Sequence, residues 1–418
     1  MRFQSGGNVN RSLLVGALTA WLVTGAAAQD NAQPRIAAGG EGFSLRSGDG
    51  AWTLRLRGLV QVDGRAFDSD SEAPGDEEWL LRRVRPTLEG TFGDRVSFRL
   101  MPDFGGGRTE VPDAWMDLEL ADDGPVLRAG KFKPPVGLER LRSANHLQLI
   151  ERSIVTELVP RRDIGVQVSG GGNGLEWASG LFNGVVDGGS ADEDADGKQE
   201  LAARIFHHPF ADGDGPFKGL GLGIAGTVGS MEGTPTSPLL PGYRSPGQKV
   251  IFNYRTGADG TFASGDRTRV TPQLYWYRGP FGVMGEVVQV SQDVSRLTGG
   301  LDRADTLDHA AWQLTFNWFL TEETAGFRDP SGVGAIELVA RASGFEADED
   351  SFVGGAQSFA DAATAVSRAD TRAIGVNWFP VAGIKASFSY QRTAFAGGSP
   401  LGDRTDERVL LARLQLYF

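Results

Sequence analysis

Residues 53–63 read TLRLRGLVQVD, and residues 409–418 read VLLARLQLYF. In the first stretch Leu54, Leu56, Gly58, Val60 and Val62 share one face of an extended chain. Arg55, Arg57, Gln61 and Asp63 share the other. In the second, Leu410, Ala412, Leu414, Leu416 and Phe418 alternate with Leu411, Arg413, Gln415 and Tyr417. A period of two marks a strand with two unlike faces. Two architectures produce it. A soluble sandwich buries the apolar face in a core, whereas a membrane barrel turns that face to lipid and the polar face to a wet lumen. The polar face here carries full charges, mostly arginine, which a packed interior does not accept unpaired. The strands are also long enough to cross a bilayer when tilted. The reading is an all-β, transmembrane antiparallel β-barrel.

Working outward from these two stretches, the same alternation recurs at 95–103 (Val96, Phe98 and Leu100 against Arg95, Ser97, Arg99 and Asp103) and at 113–120. Strands are predicted near 53–63, 79–91, 95–104, 111–120, 125–133, 164–170, 175–183, 199–208, 219–229, 267–278, 281–291, 309–320, 333–345, 370–379, 383–393 and 406–418. That is sixteen, and closed barrels of this type need an even number. Tight connections at Gly93-Asp94, Gly171 to Gly174, Arg278 to Pro280 and Val381-Ala382 fall on one side. Loops 64–78, 134–163, 184–198, 230–266, 292–308, 346–369 and 394–405 fall on the other, with residues 249–254 (KVIFNY from Lys249) in a structured external hairpin. Aromatic residues at strand ends, among them Trp79, Trp177, Phe182, Trp276, Tyr277, Trp312, Trp318, Phe319, Trp378, Phe379 and Tyr417, suit interfacial girdles.

The N-terminus reads as an export signal. Arg2 and Arg11 precede an apolar run from Ser12 to Gly25, and Ala26-Ala27-Ala28 offers a cleavage site. The expected organisation is a signal peptide at 1–28, a periplasmic N-terminal segment at 29–52 and the barrel domain at 53–418, placed in the outer membrane of a Gram-negative cell. The absence of cysteine excludes disulfides, thiolate metal sites and a cysteine nucleophile. The four histidines thin the supply of general bases, and the net charge of −12 disfavours nucleic acid as a partner. No G-x-S-x-G, H-E-x-x-H or G-x-x-x-x-G-K occurs. Asp192-x-Asp194-x-Asp196-Gly197 begins like a calcium loop but has Ala203 at the twelfth position, and His207-His208 lacks ligand spacing. The expectation is a channel and not an enzyme, with no cofactor and no metal.

The cations point to what passes. Of the 41 basic residues only six are lysine, and the arginine fork binds phosphate oxygens bidentately. Arg55, Arg57, Arg83, Arg85, Arg95 and Arg99 fall on the polar face of three consecutive predicted strands, forming a stripe down the lumen wall that would attract anions. Partial pairing with Glu89, Asp103, Asp113, Asp117 or Glu119 competes with that role. The loop 134–163, after the fifth strand, is too apolar for an external loop. Leu138, Leu141, Leu147, Leu149, Ile150, Ile154 and Val155 suggest that it folds into the lumen and brings Lys131, Lys133, Arg140, Arg142 and Arg152 toward the stripe.

Trp79-Leu80-Leu81-Arg82-Arg83-Val84-Arg85-Pro86 resembles the second strand of the phosphate-selective porin O and P family. The run Arg128-Ala129-Gly130-Lys131-Phe132-Lys133-Pro134-Pro135-Val136-Gly137-Leu138-Glu139-Arg140 resembles its most distinctive motif. Ile150-Glu151-Arg152-Ser153, Pro160 to Gln167 and Gly180 to Gly184 are similar as well. The resemblance implies a homotrimeric sixteen-stranded porin with an arginine ladder leading to a central anion site lined by Arg82 and Arg83. Neighbours on a regular strand face opposite ways, so one of the two must be turned by a bulge or lie above the membrane; Arg83 is in phase with Arg85. The lysine, serine and tyrosine contacts of phosphate-selective members do not align here. The functional expectation is passive passage of small anions, phosphate or related oxyanions first, with carboxylates, sugars or general solutes as the alternative and an outer-membrane barrel enzyme a remote one.

Overall fold

The computed structural model describes residues 33–39, 42–68, 77–298, 301–330 and 332–418. The signal peptide expected at 1–28 lies outside the described residues. Sixteen strands form the wall: β1 (Trp52–Phe67), β2 (Glu78–Phe92), β3 (Val96–Asp103), β4 (Glu110–Glu119), β5 (Val126–Phe132), β6 (Asp163–Gly172), β7 (Leu175–Phe182), β8 (Glu200–His207), β9 (Leu220–Glu232), β10 (Thr261–Arg278), β11 (Phe281–Thr298), β12 (Leu301–Phe319), β13 (Ala335–Glu346), β14 (Val366–Val381), β15 (Ile384–Ser399) and β16 (Glu407–Tyr417). Each pairs antiparallel with the next, and β16 closes on β1 with Leu414 opposite Val62 and Leu416 opposite Val60. At this seam Gly58 exchanges two backbone hydrogen bonds with Phe418. A Cβ on Gly58 would come within 2.6 Å of the Phe418 ring, so any larger residue here has to displace that ring. A closed barrel leaves no unpaired wall edge in lipid.

The two faces separate as the alternation requires. In β16 Leu410, Leu414 and Leu416 are exposed, whereas Leu411, Arg413 and Gln415 are buried. The outer wall is therefore apolar and the polar residues face in. The aromatic girdle is narrower than its sequence reading. Trp79, Trp312, Trp318 and Trp378 are on the outside, but Phe182, Phe319 and Phe379 are buried, because each follows or precedes an outward residue on a regular strand.

Every predicted wall strand has its counterpart, yet several run well past their expected ends. The stretch 292–308 is not a loop. β11 and β12 continue over 292–298 and 301–308 in register, with Gln292 opposite Leu307 and Arg296 opposite Arg303. Above the membrane the pattern inverts: Val294 and Leu307 are buried inside while Asp293 and Asp308 point out, so a search for lipid-facing alternation misses it. On the short-turn side, connections 208–219 and 320–334 are longer than the tight turns around them. At the N-terminus, Arg35–Gly39 and Gly42–Arg46 form a hairpin whose second strand pairs with β1, Leu45 opposite Leu54, so this segment is continuous with the wall.

The hairpin expected at 249–254 exists as Gly242–Arg244 paired with Val250–Asn253. Tyr243, Ile251 and Phe252 are at most 1% exposed. They join Val136, Ile154, Val155 and Leu158 in one apolar cluster against Val288, Leu307 and Phe345.

Candidate functional site

The segment between β5 and β6 packs on the inner face of the wall through its main chain. Glu286 of β11 accepts from the Leu138 and Glu139 amides at 2.6 and 2.9 Å. Arg341 of β13 holds the Glu139 carboxylate and the Glu151 carbonyl, both at 3.0 Å. Asn377, Lys385 and Arg413, from β14, β15 and β16, donate to the carbonyls of Gln148, Leu147 and Ile150 at 2.6–2.8 Å. Gln61 of β1 reaches the Ala144 carbonyl. Together with the apolar cluster around Val155 and Phe252, this segment fills the β9–β15 side of the barrel. The connection 320–334 closes in from the other end, where Asp329 pairs with Lys385 at 3.3 Å.

A cavity of about 1740 Å³ runs along the opposite arc. Its lining comes from β1–β8, β16 and the loops, and no residue of β9–β15 contributes. It extends from Arg108, Gly188 and Arg244 on the loop side to Gly170, Gly383 and Phe418 on the turn side. Sixteen arginines and lysines line it against eight carboxylates.

Seven of the ten residues expected at the anion path reach the cavity and three do not. Arg57, Arg82, Arg83, Arg85, Arg99, Lys133 and Arg140 line the cavity. Lys131 is out of phase with Arg128 on β5, sits on the other face and pairs with Asp192. The remaining two also miss the cavity. Arg95 lies in the β2–β3 turn with Asp122 at 2.7 Å, because β3 starts one residue after it. Arg55 is opposite Glu89 toward the turn end of β1. These three are corrections to the stripe read from the sequence. The alternation places a residue on a face, but not at a height within the pore.

The Arg82–Arg83 doublet resolves through the ladder. Gln61 pairs with Arg83 and Val62 with Leu81, so Arg82 is the extra residue of a β-bulge. Both arginines therefore line the cavity. Arg82 forks onto Glu151, Nε–Oε1 2.7 Å and Nη2–Oε2 3.2 Å. Arg83, 5% exposed, donates to Gln61 and has no carboxylate partner among the described residues. Glu151 also lies 3.5 Å from Arg65 and 3.4 Å from Arg413. Burial pushes its carboxyl up, but Arg82, Arg83 and Arg413 outweigh burial and hold it well below the usual carboxylate range.

Other wall arginines are paired: Arg85 with Asp103 at 2.7 Å, Arg99 with Glu89 at 3.4 Å, Arg161 with Glu110 at 2.8 Å. Two cations of the segment, Lys133 and Arg152, are not. Lys133 donates to the carbonyls of Leu141 and Arg142, and Arg152 to those of Glu139 and Arg142, without a carboxylate among the described residues. Burial, and then the like charges of Arg162 and Arg152, push Lys133 well below the usual lysine range. Arg140 Nε is buried without an acceptor. Lys133, Arg152 and Arg83 line the cavity without a carboxylate partner among the described residues, and Arg140 has Glu157 4.0 Å away. Burial raises the nearby Glu157 carboxyl, with Arg140 only partly offsetting it.

Arg65, Arg128, Arg161, Arg162 and Arg204 line the same cavity and were not among the site residues read from the sequence. Arg161-Arg162 stood in view as a doublet; Arg128, stacked over Trp115 at 3.8 Å, opens the distinctive run. Among the described residues no group of three or more His, Asp or Glu side chains could hold a metal ion, and His208 instead meets Tyr275 at 2.6 Å.

No curated protein matches the sequence. Solved structures match the fold at low identity. The outer membrane channel DcaP of Acinetobacter baumannii superposes with a TM-score of 0.57 at 11% identity, covering 89% of this chain and 99% of that one. An anion-selective porin from Comamonas acidovorans gives 0.54 at 11%, covering 88% and 100%. The trimer form of OmpT from Vibrio cholerae gives 0.53 at 9%, covering 88% and 100%. The family model for phosphate-selective porin O and P matches residues 54–418, nearly the whole barrel with the arginine doublet, the 128–140 run and the terminal strand. The chain belongs to the phosphate-selective porin O and P family, outer-membrane β-barrels of Gram-negative bacteria.

Proposed function

We propose that this porin is a passive channel for small anions, with phosphate and related oxyanions as its leading solutes, and that it works as a homotrimer. One observation carries the anion reading. A chain of net charge −12 lines its open path with twice as many cations as carboxylates. A narrow path between low-dielectric walls concentrates ions of the opposite sign. Arg83, Lys133, Arg140 and Arg152 then exchange parts of an oxyanion's hydration shell, and conduction follows when several such sites are each weak. The Comamonas relative, described as anion-selective, and the trimeric Vibrio relative agree with this reading.

The test is the reversal potential of the purified protein in a planar bilayer under a KCl gradient, repeated with phosphate. Chloride preference, with current blocked by millimolar phosphate, supports the reading. Cation preference overturns it. A second reading, passage of carboxylates or neutral solutes, has its own support: Arg82, Arg85, Arg99 and Arg161 are already neutralised by wall or loop carboxylates. Chloride preference without phosphate block would select it.

A further inference from the structure

Strand register places three arginines side by side on the outside of the barrel. Arg372 of β14 is directly opposite Arg392 of β15, and Arg392 is directly opposite Arg408 of β16. The neighbours Thr371, Ala373, Gln391, Thr393 and Val409 are buried, so the arginines point away from the lumen. One step toward the turns, the next outward row is Ile374, Tyr390 and Leu410, 63%, 43% and 54% exposed and in the same register. The arginine row therefore sits where the lipid-facing surface stops, at the end of the barrel that carries the long loops. In outer-membrane barrels that end is external.

Like charges directly opposite one another on a sheet are destabilising, and three at one height need anions. The chain supplies two, at the middle arginine and at one end of the row. Asp406 lies 2.6 Å from Arg392 and Asp68 lies 3.3 Å from Arg408. Arg372 has no partner among the described residues, while Arg368 beyond it is taken up by Asp370 and Glu346. Arginine keeps donors free after one carboxylate contact, since the guanidinium has five. The external leaflet at this height presents phosphorylated glycolipid headgroups, and a guanidinium fork matches a phosphate bidentately.

The geometry points to the Arg372–Arg392–Arg408 row as a binding site for the phosphate groups of an anionic outer-leaflet glycolipid. The site is outside the barrel and independent of what the lumen conducts. Its test is native mass spectrometry of the detergent-purified barrel titrated with bis-phosphorylated lipid A. The comparison ligand is lipid A stripped of both phosphates, and inorganic phosphate is the competitor. The triple variant Arg372→Ala, Arg392→Ala, Arg408→Ala is expected to bind roughly a hundredfold more weakly, and Arg372→Ala alone about fivefold more weakly. Heat-modifiable electrophoretic mobility and unchanged KCl conductance report that the variants are folded. If the triple variant does not fold, the single variant decides, since its side chain has no partner to strand. Equal binding by wild type and variant, or equal binding of phosphorylated and stripped lipid, overturns the proposal. Displacement of the lipid by millimolar inorganic phosphate overturns the lipid assignment in favour of free phosphate.

Discussion

Glu151 is the residue on which the cavity's charge balance turns. It answers Arg65, Arg82 and Arg413 at once, so under the proposed anion function it is a tethered anion at the place a passing one would take. Glu151→Gln is expected to tighten phosphate block about tenfold and to raise the anion-to-cation permeability ratio, both read in bilayer recordings. Its depressed pKa keeps it charged well below pH 4.5, so it does not drive acid-side changes. Glu157 does. A carboxyl whose pKa is raised loses its negative charge as pH falls, before an ordinary glutamate near 4.5 would. The cavity then gains net positive charge, and anion preference should climb as the bath is acidified from neutral toward that value. Reversal potentials of Glu157→Gln should change less than those of the wild type over the same window, Asp187 and Lys133 carrying what remains. A wild-type profile no steeper than that of the variant would remove Glu157 from the path.

At the scale of elements, the bulge and the clamp make separate predictions. Because Arg82 is the unpaired residue of the bulge, deleting it leaves Arg83–Gln61 and Leu81–Val62 pairing intact. The deletion should give a folded barrel with weaker anion preference and a Glu151 with one partner fewer. Loss of folding would show that the bulge also shapes the wall. Arg341 holds the segment after β5 at Glu139 and at the Glu151 carbonyl. Removing one partner of a buried ion pair costs about 3–5 kcal/mol. The cheaper outcome for Arg341→Ala is therefore detachment of the segment from β13. Single-channel conductance should rise and protease access near Glu139 should increase; unchanged conductance would mean that the Glu286, Asn377 and Lys385 contacts suffice.

For the whole molecule, the arrangement is an acidic protein around a basic path. Selection that rests on this long-range field weakens with salt, because the Debye length shrinks from about 10 Å at 0.1 M to about 3 Å at 1 M. The permeability ratio should fall several-fold over that range. A ratio independent of salt would instead mark selection by direct coordination at Arg83, Lys133, Arg140 and Arg152. The off-centre position of the path has a packing cause. The β9–β15 side is filled by an apolar cluster in which Val155, Phe252 and Phe345 meet, leaving the arc whose inner face is arginine.

Local alternation was enough to determine the closed barrel, its strand count and which face of each strand meets lipid, since a period of two is set by backbone geometry alone. The Arg83–Arg85 phase and the apolar character of residues 134–163 were legible for the same reason. Height along the pore was not. Arg55 and Arg95 share a face with Arg57 and Arg99 in the one-dimensional pattern, but strand stagger and a turn place them off the path. The bulge at Arg82 depends on the ladder with β1, and the ion pairs of Glu151 join residues from β1, β2 and β16, the first and last strands of the wall among them. Faces are a local property of an extended chain. Which charges meet, and which remain open to an anion, is decided only when the wall closes and the segment after β5 folds against it.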